Sequence, residues 1–419
     1  MRHLGGKLLP SIPALVAAAI AATAGAATAA PQPREPQPSD VWLPMVFYVA
    51  KGEADACGRG CREWIVAEGA IDREAPVRLR ALLNRLGQRK LPIYFHSPGG
   101  SVDGGLAIGR LMRERRMTAG VGRTIPRGCD PLREHEPTCD DVKRTARELL
   151  AELRTARTLC NSSCVYALIG ATVREVGAGA RIGVHEIAFG RYDERGQPAP
   201  LDRKNLSAEQ LRQLRAEEGR LARYVAEMGI DKGLFDAATQ IVHQRIRYLS
   251  HDEIARFGID RREFHESRWM VDEGPPGPLA VIKFAVEAKA AAKAGEPKQF
   301  RTTLIRLTCG RRGGEVGVEY GRELASSDKP GSIAVTTRGD VFVLAPPRRG
   351  KPVLGYNDIE MEDRFARVPI AFFEEAGDAI EIKQAPDSAA PDKASAPTRL
   401  ATQGLQDAIR ILAQHCLRS

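Results

Sequence analysis

Three short motifs between Ile93 and His185 constrain this chain more than any other feature. They are the turn Ser97-Pro98-Gly99-Gly100, the cluster Cys160-Asn161-Ser162-Ser163-Cys164 and the triplet Gly183-Val184-His185. The first follows an apolar run, Leu91 to Phe95, and precedes a segment with Leu106, Ala107, Leu111 and Met112 at helical spacing, so it reads as a strand-to-helix turn. A Pro-Gly-Gly turn there lets backbone N–H groups point outward with no Cβ in the way, which a developing oxyanion needs. Taken alone, a Pro-Gly pair marks an ordinary turn. The second motif sets two hydroxyls ahead of Val165-Tyr166-Ala167-Leu168-Ile169, a run that reads as a buried helix starting at the serines. A serine at that point is most often an N-cap, yet the free amides and dipole of a helix N-terminus also favour a nucleophile. The third motif ends an expected strand, Arg181 to Val184, with a histidine at its exposed end. A lone histidine is usually a packing or surface residue; the three motifs in this order fit an acyl-transfer site.

On these residues the chain resembles the Clp-protease/crotonase superfamily, and within it secreted bacterial proteins related to the Clp proteolytic subunit. The family's S-P-G-G turn matches Ser97 to Gly100, its nucleophile helix matches the C-x-S-x-C of Cys160, Ser162 and Cys164, and its histidine matches His185 within A-R-I-G-V-H. The resemblance covers Trp64 to Asp260. It implies an α/β fold, a Clp/crotonase-like core of repeated strand-helix units. It also implies Ser162 as nucleophile, His185 as general base, and the N–H groups of Gly100 and Ser163 as oxyanion hole. Ser163 is the rival nucleophile, but the spacing from Ser162 fits the family better by one residue. One departure stands out. The peptidases carry an aspartate ahead of a segment of the type R-F-L-S-x-x-E-A, and in the matching stretch, Arg245 to Ser250, that place is taken by Ile246. Loss of the third member of a working triad costs about 10^4-fold.

The first 29 residues read as a secretory signal: Arg2 and Lys7 precede an alanine-rich apolar run, and Ala27-Thr28-Ala29 supplies a small-residue cleavage site. The apolar stretch is short and broken by proline, so no stable membrane span is expected after cleavage. Eight cysteines, none of them in the signal, suit an oxidising compartment, and a periplasmic or secreted protein follows. The spacings Cys57-x3-Cys61, Cys129-x9-Cys139 and Cys160-x3-Cys164 lack histidines at ligand spacing, which favours disulfides over zinc; eight cysteines allow 105 pairings. A formal charge of +9 falls to +7 without Arg2 and Lys7, and with 5% aromatic residues and scattered arginines no nucleic-acid surface is expected. No metal and no cofactor is expected.

In chain order, residues 30–40 form a proline-rich leader, and residues 41–270 the Clp/crotonase-like domain. Strands are expected at Met45 to Ala50, Trp64 to Ala67 and Ala119 to Arg123, and a helix at Val77 to Leu86. Cys57 and Cys61 clip the first loop. Residues 124–159 form a cysteine-containing insertion with Cys129, Cys139 and a charged helix from Asp140 to Arg157, acting either as a lid or as a surface ornament. A long helix, Ser207 to Met228, opens with a capping box of Ser207 and Gln210. Residues 271–299 are taken as a linker with Ala285 to Ala294 helical. Residues 300–419 are taken as a small β-rich domain of short alternating strands. It carries a low-complexity stretch, Gln384 to Pro397, and one terminal amphipathic helix in which Cys416 is the natural partner of Cys309. That domain suggests binding or docking.

The leading functional expectation is an exported serine peptidase-like protein acting on a peptide or protein substrate, with homo-oligomer formation compatible with the family. The alternative is a catalytically inactive Clp-fold binding or scaffold protein, motivated by Ile246. A crotonase-type acyl-CoA enzyme is disfavoured by the export signal and by a Ser/His pair such enzymes do not need.

Overall fold

The computed structural model describes residues 43–129, 137–145, 148–187, 190–192, 198–200, 203–272, 279–289, 298–310, 314–323, 332–345, 361–384 and 397–417. The expected signal and leader, and nearly all of the 384–397 stretch, lie outside the described residues. In chain order the α/β part runs β1 (Val46–Lys51), β2 (Glu63–Glu68), α1 (Ala75–Leu86), β3 (Ile93–His96), α2 (Val102–Glu114), β4 (Thr118–Val121), β5 (Arg123–Pro126), α3 (Pro137–Thr145), β6 (Glu148–Arg154), β7 (Thr158–Asn161), α4 (Ser163–Ile169), β8 (Val173–Val176) and β9 (Ala180–Val184). The short strands β10 (Gly190–Tyr192) and β11 (Pro198–Pro200) pair with each other, and α5 (Ala208–Glu227), α6 (Gly233–Thr239), β12 (Arg247–Tyr248) and α7 (His251–Arg256) complete it.

Seven strands form one sheet in the order β5-β6-β1-β2-β3-β4-β8. Its centre, β2-β3-β4-β8, is parallel. Strands buried on both faces need near-continuous apolar runs, and Trp64-Ile65-Val66-Ala67 and Ile93-Tyr94-Phe95 supply them. A second, three-stranded sheet, β12-β9-β7, stands against the carboxyl end of β3. Ser97 bridges to Cys160 there, with Ser97 N–H donating to Leu159 O (2.9 Å) and Asn161 N–H to Ser97 O (3.0 Å). This junction sets the Pro-Gly-Gly turn beside the end of β7.

The insertion departs from expectation. The charged helix stops at Thr145, and Glu148–Arg154 is a strand that pairs with β1 and β5. In that strand Leu149, Ala151 and Leu153 alternate with exposed residues, a period of two hidden among charges. A buried ion pair, Lys143 to Glu68 at 2.8 Å, holds α3 down. The insertion is thus an extension of the main sheet.

The second half of the chain comprises β13 (Phe264–Glu266), β14 (Met270–Asp272), β15 (Ala280–Ala288), β16 (Phe300–Cys309), β17 (Glu315–Glu323), β18 (Ile333–Thr337), β19 (Asp340–Leu344), β20 (Met361–Pro369), α8 (Ala371–Glu374), β21 (Ala379–Gln384), β22 (Thr398–Ala401) and α9 (Leu405–Cys416). An antiparallel six-stranded sheet, β13-β15-β16-β17-β20 with β14 on β15, meets a four-stranded one, β19-β18-β21-β22, around a core that includes Trp269, Phe373 and the apolar face of α9. The expected linker is corrected here: Ala280–Ala288 is a central strand, and no helix covers Ala285 to Ala288. Its alanines and Lys283 read as connector composition, but seven consecutive residues are buried because the strand is covered on both faces. Phe284 packs with Ala156 and Ala178 of the α/β part, so the two halves share apolar contacts. All eight cysteines are paired: Cys57–Cys61, Cys129–Cys139, Cys160–Cys164 and Cys309–Cys416. Among the described residues no helix is long and apolar enough to cross a membrane.

Candidate active site

Ser162 occupies the sharp corner between β7 and α4, with φ 55° and ψ −123°. Such a backbone state costs a non-glycine residue on the order of 1–3 kcal/mol and persists only where surroundings over-determine it. They do so here. Ser162 N–H donates to Gly183 O (2.8 Å), Val165 N–H donates to Ser162 O (3.0 Å), and the Cys160–Cys164 disulfide ties the strand to the first helical turn. A strained strand-to-helix turn is a recurring way to present a nucleophilic oxygen. The two serines are not equivalent: Ser162 is half-buried, whereas Ser163 is fully buried with its hydroxyl enclosed and unpartnered. Ser163 lies against α2, where Gly105 leaves room for its backbone.

The turn from Ser97 to Gly100 crosses directly over this corner. Ser97 Oγ accepts from Gly99 N–H (3.2 Å), Ile71 N–H donates to Gly99 O (2.8 Å) and Ser101 N–H to Ile71 O (2.7 Å). Gly99 has φ 103°, and a Cβ on it would lie 2.7 Å from both Ser162 Cβ and Asn161 O. Sequence reasoning singled out Gly100 and passed over Gly99; the doubled glycine was the available signal. Among the described residues no acceptor takes the N–H of Gly100 or of Ser163.

His185 follows β9, which runs parallel to β7 with Asn161 opposite Gly183. Adjacent strands lie about 4.8 Å apart, so Ser162 and His185 follow the ends of neighbouring parallel strands. Among the described residues no hydrogen bond joins them, and such bonds often tighten only when substrate binds. His185 Nδ1 is 2.7 Å from its neighbour's carbonyl, Glu186 O. A carbonyl only accepts, so Nδ1 carries the proton and Nε2 is left with a free lone pair. Burial holds the His185 pKa below the usual imidazole value, helped by nearby His243 and opposed by the Glu186 carbonyl and carboxylate. The ring is therefore neutral at pH 7 and able to take a proton.

Antiparallel pairing sets Arg247 opposite Val184, and continuing that register places Ile246 opposite His185, where the acid was expected. Ile246 Cγ2 and Asn161 Oδ1 crowd Gly183, which has no room for a side chain. The acceptor for the second ring nitrogen is the backbone carbonyl of Glu186, the residue after the histidine. The Glu186 carboxylate lies 3.8 Å from His243 Nδ1 and 3.6 Å from Arg203, which also holds Glu218 at 2.8 Å. Nothing in sequence marked His243, which is buried with Nε2 unpartnered.

No family model matches the sequence, and no curated protein matches it. Among solved structures, a mutant of 1510-N, a membrane-bound stomatin-specific protease, is 12% identical with a TM-score of 0.29 over 46% of this chain and 75% of that one. ClpP1 from Listeria monocytogenes is 16% identical with a TM-score of 0.29 over 47% of this chain and 87% of its own. A point mutant of the same ClpP1 is 17% identical with a TM-score of 0.28 over the same shares, 47% and 87%. Likeness at these scores decides nothing about activity.

Proposed function

We propose that this chain is an exported serine peptidase of Clp-like fold, acting on a peptide or protein substrate without a cofactor. The observation that carries the reading is the strained backbone of Ser162, clamped at a helix N-terminus under a glycine turn that touches it. Ser162 Oγ attacks the substrate carbonyl carbon while His185 Nε2 takes its proton. The carbonyl oxygen gains the negative charge and is held by the N–H groups of Gly100 and Ser163. Collapse of the tetrahedral adduct expels the amine, which takes the proton from His185, and water then hydrolyses the acyl-serine by the same steps. The Glu186 carbonyl does part of the work of the missing aspartate: it fixes the tautomer but, being neutral, stabilises the imidazolium less. Residues 1–29 act in this reading as a cleaved signal, residues 30–40 as a leader, and the four disulfides fit the oxidising compartment it leads to. Residues from 300 onward serve as a docking part, and self-association would suit a peptidase of this kind.

A fluorophosphonate probe tests the chemistry. The purified chain should be labelled, with labelling lost in Ser162→Ala and retained in Ser163→Ala if that variant folds. Absence of label in the parent protein, together with no hydrolysis of peptide or ester substrates, would establish the second reading, a scaffold that has kept the fold and lost catalysis. Ile246 in the acid position is the observation in its favour.

A further inference from the structure

At the end of the main sheet opposite Ser162 lies an open cleft of about 1040 Å³, built by the loops that lead into β2, β3 and β4. Seven Lys and Arg side chains line it against two carboxylates, Glu63 and Glu175. Both carboxylates are already engaged: Glu63 with Arg89 (2.6 Å) and Lys51 (3.7 Å), Glu175 with Arg262 (4.0 Å). That leaves Arg59, Arg62, Lys90, Arg115 and Arg116, all exposed and, among the described residues, without a carboxylate partner.

Two features hold these charges together against their mutual repulsion. The Cys57–Cys61 disulfide closes the loop that carries Arg59 and precedes Arg62, and Tyr94 Oη donates to Cys57 O (3.0 Å) from below. Arg116 follows α2 with φ 52°, a position where glycine would be strain-free and arginine is not. Clustered, unneutralised cations in a concave site raise the local potential and draw anions. Four of the five are arginines, whose planar forks match phosphate oxygens two at a time.

We infer that this cleft binds a ligand carrying clustered phosphate groups, at a site separate from the Ser162 corner and independent of whether that corner is active. The free and the membrane-borne forms of such a ligand share this chemistry and are separated by experiment. The full chain is titrated by calorimetry with inorganic tripolyphosphate, and in parallel sedimented with phosphatidylcholine vesicles with and without phosphatidic acid. Arg59→Glu/Arg62→Glu and Arg115→Glu/Arg116→Glu should each weaken the interaction by roughly tenfold or more. The neutral pairs Arg59→Gln/Arg62→Gln and Arg115→Gln/Arg116→Gln should weaken it less, and Arg212→Glu/Arg215→Glu, an exposed pair on α5, should leave it unchanged. Melting temperatures check that each variant is folded. Binding of tripolyphosphate alone assigns a free polyphosphorylated ligand; sedimentation with phosphatidic acid vesicles alone assigns a lipid headgroup. No binding of either by the parent chain, equal loss in the α5 pair, or equal affinity for citrate would overturn the assignment.

Discussion

Gly99 and Ile246 bracket the candidate chemistry, and each makes a prediction. A methyl group at position 99 would collide with Ser162 Cβ and Asn161 O and would need a strained φ besides. Gly99→Ala should therefore slow probe labelling by about 10^2-fold, since an ångström of misplacement at a reacting atom has that effect, while the melting temperature changes less than the rate. Ile246→Asp introduces a carboxylate opposite His185, favouring the imidazolium and raising its pKa. Labelling measured against pH should show an acid limb below about 6.5 in the parent protein, because the His185 pKa is held down by burial, and a limb shifted upward in the variant. An unmoved limb would mean that His185 is not the base. At this scale the sequence marks its candidates by residue types unusual at their places: the doubled glycine, the paired serines between cysteines, the histidine at a strand end. Glu186 was harder to foresee because it acts through its carbonyl, which every residue has. His243 reaches the cluster only through tertiary packing.

Elements were readable in proportion to how cleanly their apolar pattern stood apart from composition. The helices α1 and α5 lie close to their expected spans because each shows a helical apolar period and a cap or glycine stop, and the strands β2, β3 and β9 because each is a short, mostly apolar run. Strands β6 and β15 were misread for one reason: charged or alanine-rich stretches carry weak β signals, and only pairing with a neighbouring strand makes them strands. The consequence for β15 is measurable. Strand β15 pairs with β16 along its whole length and with β13 and β14 on its other side, and residues 280 to 286 are buried, so limited proteolysis should spare it. Native-state hydrogen exchange should find their amides among the slowest in the protein; fast exchange there would return this stretch to a connector. The disulfides differ in the same measurable way. Cys309–Cys416 closes 107 residues and Cys57–Cys61 only four. Loop-closure entropy makes removal of the first cost about 4.7 kcal/mol and of the second about 2 kcal/mol. Double Cys→Ala variants compared by denaturant unfolding should keep that order.

At the scale of the whole molecule, the two halves meet around a pair of histidines, His251 buried and His265 half-buried, that offers a handle on their joint stability. His251 begins α7 of the α/β part and His265 lies on β13 of the second sheet; their rings meet edge to face at 5.7 Å. Burial lowers the His251 pKa to about 4, opposed by a backbone hydrogen bond to Ala178 and by Asp260. Burial likewise lowers that of His265 to about 3, with the Arg262 guanidinium and His251 adding to the effect. The groups facing the pair also include the Asp260–Arg262 ion pair at 2.6 Å, whose carboxyl titrates below its ordinary range and stays charged across the window considered. In the unfolded chain both histidines take up protons near pH 6.5, whereas in the folded chain both stay neutral until pH 4 or below. Between those limits the unfolded state binds more protons, so stability rises with pH: it is complete above about 6.5 and falls as pH drops toward 4. The loss is on the order of a few kcal/mol, enough to dominate the acid side of the stability curve. Melting temperatures followed from pH 8 to pH 4 should decline steeply in the parent protein below about 6.5. In His265→Phe, which keeps an apolar ring against His251 but cannot take a proton, the decline should be shallower while the value at pH 8 changes little. An equally steep decline in that variant would place the acid sensitivity elsewhere in the fold.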